Sequence, residues 1–92
     1  IDMVELNHNV VSFNSDTLIK GSHGVLVAVF VTKKGTGSNK VEFRNGTTAS
    51  ATPIECTIFT AIEGNYQNIH RRFENGIFAD CDGSAEVTVV FK

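Results

Sequence analysis

The acidic and histidine side chains are the residues most able to do chemistry, and their spacing predicts no site. Asp80, Asp82 and Gly83 match the start of a calcium loop. A complete EF-hand loop needs further oxygen ligands and a distal glutamate. Here a strand resumes at once, so we predict a turn. The chain also has three histidines, which form no HxH or HxxxH pair and which we expect in solvated loops rather than in a metal site assembled from distant strands: His8, His23 and His70.

Serine and cysteine nucleophiles lack a catalytic context. No serine lies in a GxSxG turn, and no local pattern supports a nucleophilic pair of Cys81 with a histidine. Two cysteines, Cys56 and Cys81, are too few for a disulfide scaffold and wrongly spaced for zinc. Because each lies in an apolar alternating run, we predict two buried thiols rather than one bridge. The sequence therefore predicts no enzyme, no metal and no cofactor.

Three short motifs have plain structural interpretations. The basic cluster His70-Arg71-Arg72 is followed by Glu74, so we expect a solvated loop or an interface contact rather than a phosphate site. Asn45-Gly46-Thr47 matches the N-glycosylation acceptor pattern, which we interpret as a turn. The glycine-rich stretch 33–38 lacks the GxxxxGK[ST] pattern and precedes a strand, so it is not a phosphate loop.

Size and charge narrow the classes of function. With 92 residues, 41% hydrophobic and 20% charged, the chain is expected to form one globular domain over residues 1–92. A net charge of −2 and a pI of about 5.8 argue against nucleic acid as a partner. No apolar run approaches the ~20 residues of a membrane helix, so no membrane partner is predicted. We find no signal-peptide pattern, and we interpret Met3 as the native start and residues 1–2 as a cloning remnant.

The element that must organise the fold is the stretch Gly24 to Lys33, GVLVAVFVTK. Its residues alternate between two faces of an extended strand, and both faces are apolar. One face carries the valines at positions 25, 27, 29 and 31, and the other carries Leu26, Ala28, Phe30 and Thr32. A strand that is apolar on both faces lies between two layers, or between a core and a partner subunit.

The rest of the chain reads as short strands separated by turns. Alternating or apolar runs predict strands over the following ranges, with an additional edge strand at Val4 and Leu6: 10–13, 17–19, 40–44, 54–62, 77–81 and 86–92. The stretch 66–73 admits a helical turn, but its flanking glycines favour a loop or short strand. About seven short strands with regular turns predict an all-β fold, an antiparallel β-sandwich or jelly-roll-like barrel.

The second half of the chain resembles small structural proteins of tailed bacteriophages. The first matching element is F-x-N-G-I, at Phe73, Asn75, Gly76 and Ile77; the second is the closing G-x-A-x-V-T-V-x-F, over residues 83–91. The glycine and aliphatic strand at 24–31 also fits. The resemblance spans roughly residues 21–92. It implies a virion protein, either a capsid decoration (cement) protein or a head–tail or fibre-associated module.

This resemblance leads to a hypothesis about assembly. It implies a non-enzymatic viral structural protein, located in the virion, that contacts other virion proteins such as the major capsid protein. We predict a homo-oligomer, with a homotrimer favoured, and an interface built from Leu26, Ala28 and Phe30. The alternative is a small carbohydrate-binding module. With no tryptophan and Tyr66 as the lone tyrosine, the chain offers few aromatic platforms for a sugar.

Overall fold

All regular structure in the computed structural model is β-strand; the model describes residues 8–36, 40–81 and 84–92. The strands are β1 (Asn9–Phe13), β2 (Thr17–Lys20), β3 (Gly24–Lys33), β4 (Lys40–Asn45), β5 (Ile54–Phe59), β6 (Tyr66–Phe73), β7 (Ile77–Cys81) and β8 (Glu86–Phe91). The expected edge strand at Val4 and Leu6, the interpretation of residues 1–3, the tip of the 33–39 hairpin and the turn at 82–83 fall outside the described residues.

The strands form two four-stranded antiparallel sheets. Sheet I has the order β1-β8-β3-β6, and sheet II has the order β2-β7-β4-β5. Strand pairs 1-8, 2-7, 3-6 and 4-5 are each hydrogen bonded. This is the pairing of one long hairpin that has been rolled into two layers, which is an eight-stranded jelly roll. The predicted all-β sandwich is confirmed, with eight strands rather than about seven.

The core lies between the two sheets and is built from alternate residues of their strands. It includes Val29, Val31 and Phe73 from sheet I and Phe43 and Ile77 from sheet II, all with 0% exposure. Burying each side chain of this size stabilises the folded state by about 1.5–3 kcal/mol relative to leaving it exposed to water. This core accounts for the sharp alternation of β4, where Val41 and Phe43 point inward and their neighbours do not.

The predicted alternation of β3 is wrong at one point, because the strand contains a bulge. The register of β3 shifts between Leu26 and Ala28 against both β6 and β8. As a result Leu26 joins Val29 and Val31 in the core, although Leu26 was expected on the opposite face from the valines. Val27 is buried but lies outside the core cluster. One extra residue in a strand reverses the faces of all residues on one side of it.

One expected strand boundary and one expected conformation also differ. The strand predicted over 54–62 ends at Phe59, because the chain then leaves sheet II and crosses to sheet I. The loop that follows bonds to β3, where Gly64 N donates to Val31 O at 2.8 Å and Val31 N donates to Asn65 O at 2.9 Å. The stretch 66–73, for which a loop or short strand was favoured over a helical turn, is the eight-residue strand β6.

Candidate functional site

The surface of sheet I that faces away from sheet II carries no charged side chain in its central rows. Cross-strand partners share a face, so the register Ser12–Thr88–Phe30–Tyr66 defines one row and Val10–Val90–Ala28–Asn68 the next. Val10 is 66% exposed, Tyr66 59% and Phe30 39%. We call these two rows, together with Thr32, the sheet I outer face. It is apolar and hydroxyl-rich, and charged residues lie at its two ends: Lys33 and Glu86 at one, and Arg72 and Lys92, which pair with Val25, at the other.

Three hydroxyl groups on the sheet I outer face bond to one another. The Oγ1 atom of Thr88 lies 2.7 Å from Ser12 Oγ and 2.9 Å from Thr32 Oγ1. The ladder joins β1, β8 and β3. Hydroxyl groups that are satisfied within the protein lose less on removal from water than groups that depend on solvent. The face is therefore more easily covered by a partner than its serine and threonine content suggests.

The three residues predicted as an oligomer interface are separated by the fold. Leu26 has 0% exposure and packs in the core between the sheets, so it cannot contact a partner. Phe30 lies on the sheet I outer face and is accessible. Ala28 lies on the same face but is 2% exposed, since Val90 and Asn68 flank it. The interface itself remains a prediction, now centred on Phe30.

A shallow groove of about 260 Å³ opens between β5 and β6, where the edges of the two sheets meet. Thr57, Ile58, Phe59, Asn65 and Gln67 line the groove. The amide groups are ordered: Gln67 Nε2 donates to Asn65 Oδ1 at 3.0 Å, and Asn65 Nδ2 donates to Phe59 O at 3.4 Å. Phe59 is largely exposed at its rim. The groove offers amide, hydroxyl and aromatic groups, which suit hydrogen bonding to a polar ligand but not acid–base catalysis.

An ion pair joins the two sheets at this same edge. Arg71 on β6 donates from Nε and Nη2 to Glu55 Oε1 on β5, at 3.0 and 2.7 Å. The second carboxylate oxygen accepts from Asn45 Nδ2 at 3.1 Å. The hydrogen bond from Arg71 is the main cause that holds the pKa of Glu55 below its usual value, against the opposing effect of burial. A charge that points inward at a sheet edge also discourages uncontrolled strand addition.

We expect the Glu55–Arg71 pair to make stability depend on acid pH. Because the folded-state pKa of Glu55 lies below its unfolded value of about 4.5, the contribution is present above that value and disappears as the pH falls through the folded-state pKa. Urea denaturation from pH 7 to pH 3 should show Arg71→Gln less stable than the parent by up to about 1 kcal/mol at pH 7, with the difference closing toward pH 3. Arg72→Gln, whose Glu74 partner is exposed, is the matched control. A gap that stays constant across this range would contradict the assignment.

The basic cluster 70–72 is a strand-edge feature of β6 rather than a solvated loop. Arg71 binds Glu55, and Arg72 Nε donates to Glu74 Oε2 at 2.8 Å. His70 has a φ of 52°, in the left-handed region that few residues other than glycine adopt, beside the register shift of β6 against β3. Within the described residues no group of three or more His, Cys, Asp or Glu side chains is placed to hold a metal ion.

The remaining candidate residues have structural contacts. Asp80 accepts a hydrogen bond from Arg44 Nε at 3.1 Å on the outer face of sheet II, where Arg44 also contacts Glu42. Asn45, the acceptor of the glycosylation pattern, is 9% exposed. Its Oδ1 accepts from Asn75 N at 2.8 Å and its Nδ2 donates to Glu55. The side chain thus ties two turns to β5 and is not presented to solvent.

Both cysteines carry thiols, as expected, but only one of the two is buried as predicted. Cys81 is 6% exposed at the end of β7. Cys56 is half-buried on β5 and packs against the core from the open edge. Burial raises the pKa of the Cys56 thiol, with a smaller opposing effect from the nearby Arg71 charge. Since the thiolate is the reactive form, Cys56 is a slow nucleophile at neutral pH.

We expect alkylation to distinguish the two thiols. With iodoacetamide at pH 7.5, native protein should gain one label slowly, at Cys56, and the second only after denaturation. Peptide mass spectrometry of timed samples locates each label, and the denatured chain supplies the fully accessible rate. Recovery of a crosslinked peptide that contains both cysteines from freshly purified protein would contradict two thiols.

Sequence reasoning missed the Glu55–Arg71 pair and the role of Asn45. The β5 and β6 positions are far apart along the chain, and only the crossing between sheets brings them together. The alternation of β5 places Glu55 opposite to Cys56 and Ile58, which predicted an outward side chain. No local pattern distinguishes an edge residue that bridges two sheets from one that faces solvent.

Comparisons with known proteins give one solved structure and no family. No protein-family model matches the chain, and no curated protein matches it. The fold is similar to that of a protein from Bacillus endospore appendages, which form a novel family of disulfide-linked pili. The TM-score is 0.53 at 18% sequence identity, over 91% of this chain and 81% of that chain. At this identity the likeness shows the fold alone. No helix of the described residues is long and apolar enough to cross a membrane.

Proposed function

We propose that this chain is a non-enzymatic structural subunit that acts by assembling with copies of itself and with other proteins. One observation carries the proposal: large hydrophobic side chains are exposed on both outer faces and on the loop between the sheets. They are Val10, Phe30 and Tyr66 on sheet I, Leu18, Ile54 and Phe59 on sheet II, and Ile62 between them. Exposed apolar groups that lie side by side, as Phe30 and Tyr66 do on sheet I, are typical of surfaces that meet other proteins.

The fold supports the same proposal from a second direction. Among the residues that the structure describes, the outer edges of β1, β2, β5 and β6 have no strand partner, and assembly covers such edges. Jelly rolls form capsid and lectin domains, and the endospore appendage protein with a similar fold forms pili. These likenesses support an assembling subunit without specifying the particle.

The finer proposal is a virion subunit of a tailed bacteriophage, in the capsid or at the head–tail or fibre region, with a closed homotrimer as the expected oligomer. Its support is the sequence resemblance at 73–77 and 83–91. The glycine at 76 and the apolar positions 87 and 89 of those motifs are turn and core residues here, so they specify fold more strongly than partner.

Light scattering coupled to size exclusion tests assembly directly. At about 50 µM we expect a mass that is a multiple of the 10.0 kDa chain, falling toward one chain on dilution. A strict monomer at that concentration, together with no binding to any particle, would overturn the proposal. For the virion form, mass spectrometry of purified phage particles should detect the chain in a fixed ratio to the major capsid protein, and its absence would remove that form alone.

The groove between β5 and β6 favours a second candidate, a carbohydrate-binding module. Exposed Phe59 lies beside the ordered amides of Asn65 and Gln67 and the hydroxyl of Thr57. Aromatic and amide groups in one groove suit a sugar ring and its hydroxyls. A glycan array should then show binding that Phe59→Ala removes and Leu18→Ala retains. Absence of binding to any glycan would leave the assembly proposal alone.

A further inference from the structure

The sheet I outer face is the surface on this molecule whose composition best suits contact with a second copy of the chain. We infer that two copies pack sheet I against sheet I about a two-fold axis, with Phe30 of one copy over Ala28 of the other. The inference deepens the proposed function and rests on it. It names a contact between pairs of copies, which differs from the contact that would close a trimer.

Charge is the first argument. A two-fold contact packs one patch against a second copy of the same patch. An uncompensated charge in the patch would therefore be repelled by the like charge of the other copy. The two rows of the sheet I outer face contain no charged side chain. The outer face of sheet II differs, because Lys40, Glu42, Arg44 and Asp80 form a chain of ion pairs there. Sheet I is the face that a second copy can cover without burying charge.

The shape of the face is the second argument. Phe30 projects from its row at 39% exposure, whereas Ala28, two residues along the same strand, is 2% exposed and lies in a recess between Val90 and Asn68. A two-fold axis in the plane of the contact, perpendicular to the strands and midway between the two rows, places each row of one copy over the other row of the second copy. Phe30 of each copy then fills the recess over Ala28 of the other, as side chains interdigitate where two sheets pack at about 10 Å.

Hydrogen bonding is the third argument. Ser12, Thr32 and Thr88 satisfy one another on this face, so covering them leaves fewer buried hydroxyl groups without partners. The size of the face limits the affinity. The whole outer side of sheet I, with a ten-residue β3 and four strand spacings, gives roughly 600 Å² per copy, at the lower limit for a specific interface. The two uncharged rows are the centre of that area, and charged residues such as Lys33 and Glu86 lie at its rim. We therefore expect a reversible dimer with a dissociation constant of about 1–100 µM.

Charge substitution at Val10 tests the contact, because this side chain is exposed on the edge strand and tolerates change. Sedimentation equilibrium from 1 to 200 µM should show that the parent forms even-numbered states as its concentration rises, either a dimer or, where trimers close, a hexamer. Val10→Glu and Val10→Lys should each weaken pairing by at least tenfold, and a mixture of the two should restore it. Leu18→Glu, an equally simple change on the outer face of sheet II, is the matched control, and circular dichroism verifies that each variant is folded.

The outcomes separate the inference from the proposed function. If the parent assembles but Val10→Glu leaves its mass unchanged while Leu18→Glu disrupts it, the two-fold contact is wrong and assembly stands. A parent that forms only odd-numbered states also overturns the contact. A parent that is monomeric at 200 µM overturns both. If Val10→Glu does not fold, Thr32→Lys on the same face replaces it in the test, with the same expected loss of pairing.

Discussion

Val29→Asp should yield no folded protein. Val29 has 0% exposure and lies in the middle of β3, paired with Gln67 on one side and Val89 on the other. A carboxylate at this position has no positive partner in the core cluster. Burial without a partner costs several kcal/mol in either protonation state, while a whole domain is stable by only about 5–15 kcal/mol. We expect far-ultraviolet circular dichroism of an unfolded chain, or accumulation in the insoluble fraction.

A change on the other face of the same strand is the control for Val29→Asp. Thr32→Asp introduces the same group at an exposed position, so it should fold, with a loss of roughly 1 kcal/mol from the hydroxyl ladder. Val29→Ala provides a folded intermediate case, less stable by about 2 kcal/mol. If Val29→Asp is soluble with the parent's melting temperature, β3 is not the central strand of the core.

The sequence predicted the strands well where one face meets the core and the other does not. The bounds of β3 and β7 agree with the prediction, and the inward positions of β4 and β8 follow from strict alternation at Val41, Phe43, Val87 and Val89. These features depend only on residues within one strand. Period-two alternation carries such information directly.

Features that depend on how the strands pair could not be predicted from the sequence. The bulge at Val27 arises from the register of β3 against β6 and β8 together, and no residue in GVLVAVFVTK marks it. Leu26 was therefore expected at an interface and lies in the core. The sheet I outer face likewise exists only once four strands, distant in the chain, are placed side by side. Its uncharged rows combine residues from β1, β3, β6 and β8.

Gly76→Ala should destabilise the protein strongly without altering any core side chain. Gly76 has a φ of 133°, a conformation that side chains rarely adopt. A Cβ atom at this position would lie 2.7 Å from Gly46 O and 3.0 Å from Lys20 O, and both are backbone atoms that cannot rotate away. The Gly76 carbonyl also accepts a hydrogen bond from Gly46 N at 3.1 Å. The substitution therefore separates the β6–β7 turn from the start of the β4–β5 connection.

Two other glycines separate the contributions to this effect. Gly64 has a φ of 82° but open space around a Cβ, and Gly21 has open space without a positive φ. Gly21→Ala should change stability by less than about 0.5 kcal/mol, and Gly64→Ala should cost about 1 kcal/mol from backbone strain alone. Gly76→Ala adds the clash and should cost about 3 kcal/mol or more, which lowers the melting temperature by roughly 10–20 °C in a domain of this size. Equal losses at positions 64 and 76 would show that strain alone acts, and that the contact between the two turns does not hold the sandwich together.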